Sequence, residues 1–298
     1  NKPLHDFIKQ VTDTDGIVHL IGMMSDRGVH SEINNTIVIA RHVVNAGLKV
    51  CVHFISDGRD TIPQAAERYI EQWRTQFESE FISGQMWFGT LTGRYYTMDR
   101  NQNLDRTELA FDAIARAHAT FTAPSIDIAL ENAYGRGETD EFIKPVIIQP
   151  TPIINKDGIL FCNHRSDRAR QILRMLLPIG AHMLCFSQYG EGLDEFCPAL
   201  LNDIPVENTL CDVLAANKKT QLRIAETENY NHVTYFLDAE RTIDYLGEEK
   251  VLIPSPDVAT FDLKPEVSAL EITDALLPRL DKFDVIILNY ANGDLIGH

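Results

Sequence analysis

Positive charge is scarce in this sequence. Across 298 residues, 27 Lys and Arg stand against 43 Asp and Glu, a formal net charge of −16. A chain this acidic lacks the basic face that nucleic-acid phosphates require. It is equally unsuited to an anionic membrane surface. Long apolar runs are missing as well. Those present are short and broken by charge, so no transmembrane segment is expected, and no signal-peptide pattern is visible. Cysteine is sparse and odd in number. Cys51, Cys162, Cys185, Cys197 and Cys211 show no metal-site spacing, and the first three lie in apolar, strand-like runs. Reduced, packed thiols and a cytoplasmic location are the expectation. The G-x-S-x-G elbow, the P-loop and the dinucleotide glycine fingerprint are all absent. Gly135-Arg136-Gly137-Glu138 has no strand before it and reads as a turn.

What is present is a globular composition, 44% hydrophobic and 23% charged, long enough for one large domain or two ordinary ones. Apolar runs at Ile17–Met24, Lys49–Ile55, Gln85–Leu91, Gly158–Cys162 and Met183–Phe186 read as strands. Amphipathic stretches at Asn34–Asn45, Asp105–Ala119 and Asp167–Leu177 read as helices, as does a long one from Pro63 to Phe81. Such alternation predicts an α/β fold with a mainly parallel sheet covered on both faces. A break near Pro198–Pro205 separates a second block. It carries a helix at Thr209–Ala216, strands at Leu222–Ala225, Val233–Leu237 and Val251–Ile253, a helix at Ser268–Leu280 and a last strand ending near Tyr290. A central strand followed by one polar loop makes an unusual domain end, so flanking segments are expected.

Arginines cluster where the strands end. Arg59, Arg94, Arg100, Arg106, Arg165 and Arg168 sit in short polar loops, each after an apolar run. A guanidinium presents a planar fork that matches carboxylate and phosphate oxygens, and open α/β sheets bind ligands beyond the carboxyl ends of their strands. One such arginine makes a surface ion pair more often than a site; the repeated placement predicts a pocket for a small, highly charged anion. The loop Ser25-Asp26-Arg27-Gly28-Val29-His30-Ser31 suits oxyanion contact or proton transfer, or else a turn with Ser31 or Asn34 capping the next helix. Asp60 adjoins Arg59. A carboxylate beside an arginine favours its charged form, so Asp60 is a candidate to take a proton from a substrate hydroxyl; it could instead only orient Arg59 or cap the helix carrying Pro63. Asp294 and His298, four apart after the last strand, form a weak two-ligand metal pattern.

At these residues the sequence resembles the cofactor-independent (2,3-bisphosphoglycerate-independent) phosphoglycerate mutases. The matching segments are SDRGVHS at 25–31, DGRDT at 57–61, TGRYYTMDR at 92–100, TDEFIKP at 139–145, RSDRAR at 165–170, RIAETENYNHVTYF at 223–236, LIPSPDVATFDLKPEVSA at 252–269 and NYANGDLIGH at 289–298. They occur in the family's order across nearly the whole chain. The resemblance implies an inserted α/β substrate-binding domain with its linkers over 1–203. It also implies part of an alkaline phosphatase-like, metal-bearing α/β domain over 204–298. The nucleophilic serine and the remaining metal ligands are expected in segments outside this sequence.

The resemblance further implies interconversion of 3-phosphoglycerate and 2-phosphoglycerate through a phosphoserine, with two divalent ions, usually manganese, and no 2,3-bisphosphoglycerate. A phosphomonoesterase of the same superfamily and a non-catalytic phosphoglycerate binder are the alternatives. His30, Arg59, Asp60, Arg94, Arg100, Arg165 and Arg168 match substrate-binding positions, with Asp60 placed for proton transfer at the glycerate hydroxyl. Asp294 and His298 match ligands of one metal. Phosphoglycerate is then the partner, with no nucleic acid and no membrane, and a monomer is expected. The sequence departs from the family pattern at Arg27 (glycine), His164 (phenylalanine), Ser166 (proline) and Asn229, which stands where a lysine is expected to contact phosphate and metal. Losing one such charged contact costs about 1.5–3 kcal/mol.

Overall fold

The computed structural model describes residues 1–202, 206–258 and 260–297. The chain divides into two compact units, Asn1–Asp203 and Ile204–His298.

The first unit is built on a seven-stranded sheet of β1 (Val18–Met23), β2 (Val50–Ser56), β3 (Met86–Gly93), β4 (Phe121–Thr122), β5 (Val146–Ile147), β6 (Gly158–Phe161) and β7 (His182–Cys185), in the order β4-β5-β3-β2-β1-β6-β7. All neighbours run parallel except β3 and β5. Every residue of β1, β2 and β6 is buried, as continuous apolar runs in a two-sided parallel sheet require. The helices are α1 (Lys2–Asp13), α2 (Ile33–Asn45), α3 (Ala66–Gln76), α4 (Glu78–Ser83), α5 (Arg94–Thr97), α6 (Leu104–Arg116), α7 (Ile126–Gly135) and α8 (Arg170–Leu176). Two apolar cores result. Leu20, Val52 and Phe54 pack with Trp73 and Phe77 in one; Ile21, Met23, Ile55 and Phe161 pack with Ile172 and Leu176 in the other. Alternate residues of one strand thus serve opposite layers.

Several boundaries differ from the sequence reading. The stretch Pro63–Phe81 is not one helix: α3 starts at Ala66 and the chain breaks at Phe77, whose φ of −126° and ψ of 32° leave the helical basin. The start is set from far away, because Asp140 Oδ2 accepts from the N–H groups of Ala65 and Ala66 at 2.7 and 2.9 Å. Asp60 is therefore not the cap. α8 begins at Arg170 rather than Asp167. Neither Ser31 nor Asn34 caps α2; Glu32 does, accepting from Asn35 N–H at 3.1 Å. α1, α7 and the two-residue strands β4 and β5 were not anticipated.

In the second unit β8 (Gln221–Glu226), β9 (Glu248–Ile253) and β10 (Val285–Asn289) form a parallel sheet in the order β10-β8-β9. It carries α9 (Leu210–Ala216), α10 (Tyr230–Val233), α11 (Ala269–Leu276) and α12 (Asn292–Gly297). The expected strand Val233–Leu237 does not form; α10 ends there and turns follow. The cause is Arg223, fully buried on β8. Its Nη2 donates to Asp238 Oδ1 at 3.0 Å and its Nε lies 2.6 Å from Glu248 Oε1, a close ion pair poorly aligned for a hydrogen bond. The 234–238 segment folds around this head group instead of extending. No helix among the described residues is long and apolar enough to cross a membrane.

Candidate functional site

The loops after β1, β2, β3 and β6 leave the carboxyl ends of four adjacent strands, so the topology gathers their side chains at one edge. Arg94, the first residue after β3, is only 4% exposed. Its Nη1 donates to Asp57 Oδ1 at 2.7 Å and Asp60 Oδ2 at 2.5 Å, both from the loop after β2. That loop turns through Gly58 at φ +69°, where a Cβ would come 2.5 Å from Glu141 N. Glycine answers both the left-handed backbone and the close approach of the 140–142 turn. Asp57 Oδ1 also accepts from Asp60 N–H at 3.1 Å, which fixes the loop that carries Asp60.

On the β6 side, Asp167 binds Arg165 through two bonds of 2.9 and 3.0 Å and Arg100 at 2.8 Å. Arg168 Nη1 donates to Met98 O at 2.9 Å, and among the described residues Arg168 has no ion pair. Asn163 joins the loops. Its Oδ1 accepts from Met23 N–H at 2.8 Å, its Nδ2 lies 3.6 Å from Met98 Sδ, and its carbonyl accepts from the Tyr189 hydroxyl. The carbonyl of His30 accepts from His164 N–H at 2.7 Å, tying the β1 loop to the same frame.

The electrostatics are those of crowded cations. Burial first, then Arg94 and Arg165, pushes His30 down to about 2. Its ring is neutral at ordinary pH. Burial first, then Arg100 and Arg94, lowers Arg168 to about 10. His30 Nδ1, Asp57 Oδ2 and Ser25 Oγ are buried without a hydrogen-bond partner. Buried polar atoms are seldom left so, and together with the guanidinium forks they suit an oxygen-rich anion.

In the second unit Asn229 is buried, and its Nδ2 donates to Asn289 Oδ1 at 3.2 Å and Asp294 Oδ2 at 3.3 Å. The Asp294 carboxylate and the Asn289 amide oxygen are hard donors of the kind that suit Mg²⁺ or Mn²⁺. This donor chemistry fits a divalent ion but does not complete its shell. His298 lies outside the described residues.

Among the expected site residues, the fold brings His30, Asp60, Arg94, Arg100, Arg165 and Arg168 to one sheet edge. Arg59 stands at the rim, its side chain 46% exposed and 3.4 Å from Glu141. Asp60 engages Arg94, not Arg59. Arg27 is exposed and faces Asp26 at 3.8 Å. The sequence reading missed Asp57, Asp167 and Asn163 as organisers of the edge. Their one signal was position, inside the same loops as the arginines.

A mainly parallel α/β unit that gathers guanidinium groups at the carboxyl edge of its central strands defines the class of open α/β proteins whose ligand crevice lies at that edge. The chain belongs to a family within that class, described as BPG-independent PGAM N-terminus (iPGM_N), whose model matches residues 1–195. It is 40% identical over 304 residues to the 2,3-bisphosphoglycerate-independent phosphoglycerate mutase of Anaplasma phagocytophilum, covering all of this chain and 60% of that protein. It is 41% identical over 319 residues to 2,3-bisphosphoglycerate-independent phosphoglycerate mutase 2 of Methanosarcina acetivorans, again over all of this chain and 60% of the relative. The chain thus spans about 60% of the length of the curated relatives it matches. In fold it is similar to a crystal structure of Leishmania mexicana phosphoglycerate mutase at low cobalt concentration. The TM-score is 0.80 at 24% identity, over all of this chain and 61% of that one.

Proposed function

We propose that this chain is the substrate-binding part, and a portion of the metal-binding part, of an enzyme that interconverts 3-phosphoglycerate and 2-phosphoglycerate without 2,3-bisphosphoglycerate. The observation that carries the reading is the loop cluster: Arg94, Arg100, Arg165 and Arg168 with neutral His30 and Asp60 at one sheet edge. Arg94, Arg165 and Arg168 hold the carboxylate and phosphate oxygens of the glycerate, and Arg100 and Arg59 close the rim. Asp60 takes the proton from the glycerate hydroxyl that receives the phosphoryl group and returns it to the other. Arg94 positions that carboxylate at 2.5 Å. Phosphoryl transfer asks for charge neutralisation and alignment more than for covalent chemistry by the protein.

In the 204–298 part, Asp294 is the carboxylate that would hold one divalent ion, with His298 four residues on in sequence. Such an ion, Mn²⁺ by the family resemblance, supplies charge neutralisation at phosphoryl oxygens. Asn229 keeps a donor beside Asp294 where the family pattern has a cation. The phosphoserine expected for the family lies outside this chain.

The experiment is an assay of the full-length protein with Mn²⁺ and no added bisphosphoglycerate. Conversion of 3-phosphoglycerate to 2-phosphoglycerate is expected, and none from the 298-residue chain alone. Arg94→Ala should raise KM and lower kcat, with kcat/KM falling roughly 10- to 150-fold for the loss of about 1.5–3 kcal/mol. An unchanged kcat/KM removes Arg94 from the site. Release of inorganic phosphate without 2-phosphoglycerate would instead mark a phosphomonoesterase. Calorimetric binding without turnover would mark a binder and make Asn229→Lys the next variant.

A further inference from the structure

A second cluster of chemistry-bearing side chains lies inside the sheet of the first unit and shares no residue with the loop cluster. His19 on β1 pairs with Cys51 on β2 in the parallel register, and His53 follows two residues later. Residues two apart on a strand share a face, so two imidazoles and a thiol meet on one side of adjacent strands. All three are fully buried. His19 Nδ1 lies 3.0 Å from His53 Nε2, and Cys51 Sγ lies 3.7 Å from the same nitrogen. One ligand atom from each residue falls within 4.8 Å of the other two.

The two spacings at His53 Nε2, 3.0 and 3.7 Å, are close to edges of a tetrahedral metal site. Zinc–nitrogen bonds of about 2.0–2.1 Å and zinc–sulfur bonds of about 2.3 Å give tetrahedral edges of roughly 3.3 Å (N to N) and 3.6 Å (N to S). Of the outer nitrogens, that of His53 lies within hydrogen-bond reach of a partner, and that of His19 faces a carboxylate beyond that reach. His19 Nε2 faces Asp157 Oδ2 at 3.6 Å, and Asp157 is itself fixed by Ile17 N–H at 3.1 Å and Ile154 N–H at 3.0 Å. His53 Nδ1 lies 3.0 Å from Thr90 Oγ1. Carboxylate and hydroxyl partners on the far nitrogens are the usual support for metal-bound histidines. The ladder is adapted to this arrangement. Phe88 opposes Val52 and Thr90 opposes His53, so Gly89 is the extra residue of a bulge. A Cβ on Gly89 would stand 2.4 Å from Cys51 Sγ and 3.2 Å from His53 Cε1. Glycine there leaves room for the sulfur.

We propose that His19 Nδ1, His53 Nε2 and Cys51 Sγ form a buried zinc site that clamps β1 to β2. In the metal-free chain the two rings share one hydrogen bond. On binding, the His53 ring proton moves from Nε2 to Nδ1 and turns to Thr90 Oγ1. His19 keeps its proton on Nε2 toward Asp157, and Cys51 releases its thiol proton to solvent. Three coordinate bonds form, one proton leaves, and no electron is transferred. Two imidazoles and one thiolate are soft enough to prefer zinc to magnesium or calcium.

The test uses Co²⁺ as the probe. The 298-residue chain is refolded with Co²⁺, freed of excess metal and checked for folding by circular dichroism. One bound equivalent with a thiolate-to-cobalt charge-transfer band, displaced by Zn²⁺, is expected. Cys51→Ala should abolish the band, with Cys51→Ser in its place if alanine does not fold. Thr90→Val should weaken Co²⁺ binding roughly 10- to 100-fold while keeping the band. Cobalt bound at Asp294 gives no thiolate band, so that site does not confuse the readout. A folded wild-type chain without the band, or a band that persists without Cys51, overturns the proposal.

Discussion

His30 shows what the loop cluster does to a single residue. It is 2% exposed and stands among Arg94, Arg165 and Arg168. Burial and those cations push its ring down to about 2, well under the ordinary 6.5. The folded state therefore refuses a proton that the unfolded chain accepts. The stability this group leaves intact above pH 6.5 is lost as pH falls, with a slope of up to about 1.4 kcal/mol per pH unit. Between pH 6.5 and 5 that amounts to roughly 2 kcal/mol. His53, lowered chiefly by its burial, adds a term of the same sign. Urea unfolding of wild type and His30→Gln across pH 7 to 5 separates the two. The variant should lose about one proton's worth of slope and keep the rest. Equal slopes would mean that His30 is not the group being protonated.

At the scale of elements, what the sequence disclosed and what it hid follow one rule: local pattern was legible, and remote side-chain contacts were not. The strands β1, β2, β3, β6 and β7 are mostly apolar runs, and arginines in the loops after such runs have to emerge at the carboxyl edge. Their carboxylate partners, Asp57 and Asp167, come from loops whose pairing depends on the sheet order. The Val233–Leu237 segment has strand-like composition, yet buried Arg223 draws it into turns through Asp238. The His19, Cys51 and His53 cluster spans two strands, so no spacing along the chain reveals it. The start of α3 was misplaced because its cap is 75 residues away in Asp140. Asp140, 1% exposed, also accepts from the Tyr134 hydroxyl at 2.6 Å. Asp140→Ala strands two backbone N–H groups and a phenol, and should destabilise the first unit by about 1–3 kcal/mol. Denaturant unfolding followed by tryptophan fluorescence measures it, since Trp73 sits on α3 and Trp87 on β3 of the same unit. A change below half a kilocalorie per mole would show that α3 holds its start without this cap.

At the scale of the whole molecule, a chain of net charge −16 keeps a knot of guanidinium groups at one sheet edge. Arg94 and Arg165 are neutralised by Asp57, Asp60 and Asp167. Arg168 is not, and its lowering to about 10 records burial together with repulsion from Arg100 and Arg94. Such an arrangement costs stability until an anion arrives, so two effects of opposite sign follow from one residue. In chloride, Arg168→Gln removes the repulsion and should leave the first unit as stable as wild type or more so. In phosphate or 3-phosphoglycerate the order should reverse. An anion that binds only the folded state stabilises by RT ln(1 + [L]/Kd), about 2.7 kcal/mol at one hundred times Kd. Wild type should gain that increment at constant ionic strength, and Arg168→Gln should gain far less. Thermal unfolding of both chains in phosphate and in chloride of matched ionic strength decides between readings. Equal midpoints in the two salts for wild type would mean that the cluster holds no anion. Equal phosphate gains for wild type and variant would mean that the anion is held by the paired arginines alone, with Arg168 outside the contact.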